Sequence, residues 1–122
     1  HTNGTTAMTV DSTGRILTPA RPSFHVATSA TQDGGTVVNW NTEIFDIGGN
    51  FNTSTNLFTA PIAGVYYFYA SVYHKTEAGE YNNIQFSKND STDYESAVGS
   101  LYNNDGGSIY TNSPTLAVLS LS

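Results

Sequence analysis

The chain has 122 residues with a formal net charge of −6 at pH 7; 38% of them are hydrophobic, 12% aromatic and 11% charged, and none is cysteine. Its strong cations are only Arg15, Arg21, Lys75 and Lys88, too few for a phosphate-tracking surface, so nucleic acid is excluded as the expected partner. The missing thiols exclude a disulfide framework, and no apolar run or leader pattern predicts membrane insertion.

The charged fraction is less than half of the roughly 25% typical of soluble domains, and Asn, Ser, Thr and Gly fill the gap. Stability and contacts are therefore expected to change little with salt. A chain of this length holds one core, and its opening on His1 reads as part of a longer polypeptide.

Residues 1–21 are poor in large apolar side chains. They carry two short β-capable runs, Met8 to Val10 and Ile16 to Thr18, around the turn Ser12-Thr-Gly14, and read as a connector or short β-hairpin. Residues 22–122 read as one β-rich domain. Strands are expected at Phe24 to Thr28, Val37 to Phe45, Asn56 to Thr59, Gly64 to Tyr73, Asn83 to Lys88, Ser96 to Leu101 and Thr115 to Leu121. The turns between them are Asp33-Gly-Gly35, Gly48-Gly-Asn50, Glu77-Ala-Gly79, Asn89-Asp-Ser-Thr92 and Asn103-Asn-Asp-Gly-Gly107. No helical periodicity longer than a turn interrupts them. Short strands at this spacing predict a sandwich or barrel.

The run Gly64-Val-Tyr-Tyr-Phe-Tyr-Ala-Ser-Val-Tyr73 is apolar on both faces. Period two places Tyr66, Phe68, Ala70 and Val72 on one side, and Val65, Tyr67, Tyr69, Ser71 and Tyr73 on the other. Such a strand needs cover on both sides. The last run, Leu116 to Leu119, alternates likewise and is expected inside its sheet. Trp40, Phe45, Phe51, Phe58, Tyr66, Phe68 and Phe86 form the expected core, and Gly64 is expected to require its small size after Pro61.

The ladder Trp40, Asp46, Phe51, Phe58, Gly64, Tyr66, Phe68 resembles the signature of the globular C1q domain, the jelly roll shared with the tumour necrosis factor superfamily. Pro22-Ser-Phe-His-Val-Ala27 resembles that family's first strand, and Asn83-Ile-Gln-Phe-Ser-Lys-Asn89 its strand ending in Lys-Asn. Trp40 stands where the family usually has Phe. The resemblance implies an all-β, C1q/TNF-like jelly-roll sandwich of two antiparallel sheets, assembled as a homotrimer. The family pattern continues past a segment like Thr115 to Leu121 with further strands, so the domain is expected to be C-terminally incomplete here. Thr9-Val-Asp-Ser-Thr-Gly-Arg-Ile-Leu-Thr-Pro19 with Arg21-Pro-Ser-Phe24 also resembles stretches leading into C1q-like heads of marine bacteriophage fibre and virion proteins.

Catalytic signals are absent. His25 and His74 are the only internal histidines, no Gly-x-Ser-x-Gly elbow occurs, and the Gly-Gly pairs are turns without the strand and helix of a phosphate loop. Glu77 with Glu80, and Asp93 with Glu95, lie in loops and read as solvated. The chain is therefore expected to be non-enzymatic, with no cofactor except a calcium ion, which the resemblance allows; Asp90, Asp93, Glu95, Asn103, Asn104 and Asp105 supply oxygens but match no EF-hand loop. In the trimer that the resemblance implies, Tyr67, Tyr69 and Tyr73 meet their symmetry mates. Ligand contacts are expected on loops: Tyr81, Asn82, Asp90, Asp93, Tyr94, Tyr102, Asn103, Asn104 and Asp105, which pair ring faces with amides suited to a glycan.

The reading that unites these features is a trimeric head or surface module of an extracellular assembly, preferably a phage fibre or virion structural protein. Its partners would be other virion or fibre proteins and a host-surface glycan or protein. Two others stand beside it: a structural decoration domain without a ligand, and a secreted C1q-like lectin.

Overall fold

The computed structural model describes residues 6, 8–18, 21–29, 37–89 and 101–122. These hold ten strands, paired two by two and always antiparallel, and no helix. The expected turns at 33–35 and 90–92, and residues 96–100 of an expected strand, lie outside the described residues. The chain divides into two compact units, His1–Pro61 and Ile62–Ser122.

The first unit opens with a hairpin of β1 (Thr9–Val10) and β2 (Ile16–Leu17). Its turn follows from Asp11 and Gly14. Gly14 takes φ 83°, its N–H donates to Asp11 O at 3.0 Å, and Asp11 N donates back to Arg15 O at 3.0 Å. This is a three-residue hairpin loop in which glycine supplies the left-handed position. The Asp11 carboxylate accepts from Thr13 Oγ1 (2.7 Å), Thr13 N (2.9 Å), Arg15 N (3.0 Å) and Arg15 Nε (2.6 Å). Those bonds, that from the Thr13 hydroxyl foremost, hold its pKa down at about 2 from an ordinary 3.8. A depressed carboxylate stabilises the fold above its unfolded pKa and stops doing so as pH falls through its folded value. The hairpin is therefore expected to keep its geometry at pH 5 and to loosen only between about pH 4 and pH 2. An NMR titration of the Asp11 carboxyl and the Thr13 and Arg15 amides checks this, and a midpoint near 4 would contradict it.

β3 (Ser23–Ala27) pairs with β4 (Thr42–Ile47), with a bulge between His25 and Val26. The expected strand from Val37 begins only at Thr42. The cause is local: Asn41 N bonds Asn39 O at 3.1 Å and Trp40 N donates to Asn56 Oδ1 at 2.7 Å, so this backbone is bent and satisfied away from any ladder. Asn56 itself has φ 58°. β5 (Phe51–Asn52) and β6 (Leu57–Phe58) set Phe51 opposite Phe58. The Phe24 ring stacks on both, at 4.8 and 5.3 Å between centroids. Asp46 Oδ2 accepts from Phe51 N at 2.8 Å and so closes the turn between β4 and β5. Gly48 has φ 103°, a backbone conformation that other residues rarely adopt, and an added Cβ would also run into the Asn50 amide, so this turn does require glycine.

Trp40, Phe51 and Phe58 are half-buried in the first unit, but Phe45, expected in the core, is 45% exposed. It lies opposite His25, ring to ring at 6.0 Å, on the strand face away from Phe24 and Asp46.

The second unit is built on β7 (Gly64–Thr76) and β10 (Ile109–Leu121), paired along all 13 residues of each. Ala70, Val72, Ala117 and Leu119 are buried on one face, with Ser113, Thr115 and Thr76 continuing it as a polar end. Large residues face smaller ones across the ladder, Phe68 against Ala117 and Tyr66 against Leu119, which lets the rings cover their neighbours. Tyr66 and Phe86 lie 6.4 and 5.7 Å from Phe68, and the three are half-buried. The Tyr66 hydroxyl donates to Ile62 O at 2.8 Å. Gly64 corrects expectation: an added Cβ would meet only Tyr66 at an ordinary 3.6 Å.

Residues 83–88 also differ from expectation. They form no strand beyond a single bridge at Ser87, and β8 (Tyr81–Asn82) lies just before them, paired with β9 (Leu101–Tyr102). Side chains hold the segment instead: Phe86 against Phe68, and Lys88 Nζ donating to Ser120 O at 2.7 Å. β10 pairs only with β7 among the described strands, so it is not interior to a wider sheet there.

Candidate functional site

Two surfaces of the second unit gather the sequence-derived site residues. The first is the outward face of β7 and β10. Strict alternation puts Tyr67, Tyr69 and Tyr73 there, 67%, 63% and 65% exposed. Val118 lies opposite Tyr67 and Leu116 opposite Tyr69, both exposed, while Pro114 faces Ser71. Tyr110 stacks on Tyr73 at 5.9 Å and 18°. From Val65 to Tyr73 and from Asn112 to Ser120 neither strand carries an Asp, Glu, Lys or Arg side chain. Leu116, Val118 and Tyr110 were not among the expected contact residues; the same alternation in residues 109–121 would have found them.

The second surface is the β8 and β9 pair. Tyr81 and Tyr102 stand directly opposite, with ring centroids 4.5 Å apart and a 32° tilt, and are 70% and 46% exposed. Beneath them the asparagines serve the fold. Asn103 is 1% exposed; its Nδ2 donates to Thr76 O (2.8 Å) and Gly107 O (2.6 Å), and its Oδ1 accepts from Asp105 N (3.0 Å). Its backbone N–H donates to Glu80 O at 3.1 Å, and its carbonyl accepts from Gly79 N at 2.8 Å. Asn82 Nδ2 donates to Lys75 O (3.1 Å) and Thr76 Oγ1 (3.0 Å). Neither Nδ2 faces an external ligand. Asn104 and Asp105 are exposed, whereas Asp90, Asp93 and Tyr94 lie outside the described residues.

Lys75 and Glu77 form an ion pair close to this hairpin, and Ser108 Oγ donates to Glu77 at 2.5 Å. Their mutual hydrogen bond raises the Lys75 pKa and lowers that of Glu77. Both side chains are largely in water, so the pair contributes little to stability. Among the described residues no three His, Asp or Glu side chains come together to hold a metal ion. His74 Nε2 and Ser113 Oγ are 3.5 Å apart on the inward face, and Ser113 is buried.

No helix of the described residues is long and apolar enough to cross a membrane. Comparison with curated proteins and with solved structures returns no match. The family model of the C1q domain matches residues 23–121. That span contains the Phe24, Phe51 and Phe58 cluster, the Asp46 turn and the whole β7 and β10 ladder, and the all-β antiparallel architecture agrees with the jelly roll of that family. The chain belongs to the C1q domain family.

Proposed function

We propose that the chain is a non-enzymatic head module that works as a homotrimer in an extracellular assembly, with residues 1–21 as its connector. C1q domains are recognition and structural modules, usually trimeric and typically extracellular, which supports the general reading. The observation that carries the trimer is the outward face of β7 and β10 between Val65 and Tyr73 and between Asn112 and Ser120: tyrosine, valine, leucine and proline among small neutral polar residues, with no Asp, Glu, Lys or Arg until Lys75 at its end. Its composition is that of an interface core, rich in tyrosine and depleted of charge.

The finer setting, a phage fibre or virion protein meeting a host surface, rests on residues 9–24. Their resemblance to stretches before phage C1q-like heads supports it. The inward duty of Asn82 and Asn103 favours, as a second reading, a decoration domain without a ligand.

Light scattering tests the assembly. The chain is expected to have three times its monomer mass at micromolar concentration, and Tyr67→Glu with Tyr69→Glu to reduce it to monomer with the far-ultraviolet spectrum of strands intact. A monomeric parent chain would overturn the trimer. Adsorption of the trimer to bacterial cells separates recognition from decoration.

A further inference from the structure

Holding β8 and β9 together does not fall to the outward-facing Tyr81 and Tyr102 alone. That work is also done below them by the buried Asn103 amide and by the backbone bonds joining Asn103 to Gly79 and Glu80. Two-residue strands are otherwise too short to keep a shape. The fastening leaves two phenol rings in water on a firm support, 4.5 Å apart, with Tyr81 70% exposed. Packing against Tyr102 engages one side of the Tyr81 ring and leaves most of that residue open. Rings that the fold already holds in place lose less freedom when a ligand stacks on them, which favours affinity.

Taking the chain as a recognition module, on which this step rests, we infer that Tyr81 and Tyr102 form a stacking platform for an uncharged pyranose of a glycan. Ring faces accept the C–H side of a sugar, and phenol hydroxyls bond at its edge. Charge selects the class. Glu80 precedes Tyr81, and Asp105 follows Tyr102 by three residues; both are exposed, while the one cation of the hairpin region, Lys75, is paired with Glu77. Carboxylates at this distance in the chain oppose sialylated, sulfated and uronic sugars and phosphates, and they accept hydrogen bonds from neutral hydroxyls. The exposed amide of Asn104 adds both a donor and an acceptor beside Tyr102.

The test is an array of oligosaccharides ending in glucose, galactose, mannose or N-acetylhexosamine, with sialylated and sulfated glycans printed alongside. It is probed with the parent chain and with Tyr81→Ala, Tyr102→Ala and Tyr81→Phe. Neutral spots are expected to bind the parent; each alanine variant should lose about tenfold or more in apparent affinity, and the phenylalanine variant should stay within about threefold. The altered side chains are outward, and a thermal melt confirms that each variant folds. Unchanged binding by both alanine variants would overturn this site while leaving recognition standing. Binding confined to charged glycans would overturn the ligand class. A blank array with the parent still adsorbing to bacterial cells would remove glycan stacking alone, and blanks on both would remove the recognition reading with it.

Discussion

Leu119→Ala is expected to lower the unfolding free energy by about 2 to 5 kcal/mol, the usual cost of deleting a buried leucine and leaving part of its volume empty. Leu119 is buried opposite Tyr66, on the face that also holds Ala117 and Ala70. Leu116 lies three residues earlier in the same strand and is exposed opposite Tyr69. At a concentration low enough to keep the chain monomeric, Leu116→Ala should cost less than about 1 kcal/mol, as exposed substitutions do. Denaturant midpoints with an unchanged slope measure both. Reversed costs, larger for Leu116→Ala than for Leu119→Ala, would mean that the register is shifted by one residue, because such a slip exchanges the faces. At higher concentration Leu116→Ala should act instead on the mass seen by light scattering.

Asn103→Ala should cost about 2 to 4 kcal/mol, since it strips donors from two carbonyls and an acceptor from one amide at a buried position. The groups left behind are Thr76 O, Gly107 O and Asp105 N, and Thr76 is itself fully buried. Asn103→Asp should be worse, because a carboxylate would face the same two carbonyl oxygens away from water. Asn104→Ala, on the exposed neighbour, should stay within about 0.5 kcal/mol of the parent. Thermal melts rank the three, and hydrogen exchange at Gly79 and Asn103 locates the loss in the β8 and β9 pair. An Asn103→Ala melt like that of Asn104→Ala would show that the buried amide does not hold the hairpin, and with it would go the rigid support beneath Tyr81 and Tyr102.

Much of the fold is legible where one residue dictates local geometry. Asp11 and Gly14 specify the first hairpin, and Asp46 specifies the turn into Phe51, because a carboxylate that caps nearby N–H groups acts within a few residues. The two-faced pattern of Gly64 to Tyr73 is equally local, since side-chain alternation is a property of any extended strand. It correctly separates Ala70 and Val72 from Tyr67, Tyr69 and Tyr73.

The misreadings arise where backbone partners come from afar. Val37 to Asn41 reads as strand from its apolar residues, yet the N–H of Trp40 is taken by Asn56, sixteen residues on. Phe45 reads as core from its aromaticity, but pairing with β3 turns it to the face of His25. Asn103 reads as a turn residue with its amide open to a ligand; only the approach of Thr76 and Gly107 makes it the buried clamp of the hairpin.

The sequence by itself determined the all-β class, the C1q family, the hairpin of β1 and β2 and the aromatic outward face of β7, because each depends on residue type and short spacing. Tertiary structure alone decided which aromatics are shielded, that β10 extends to meet β7 over its whole length, and that Tyr81 faces Tyr102. Those outcomes depend on pairing between segments distant in the chain, from Tyr81 with Tyr102 to Gly64 with Leu121, which is settled by the summed burial and hydrogen bonding of both partners and is written in neither one.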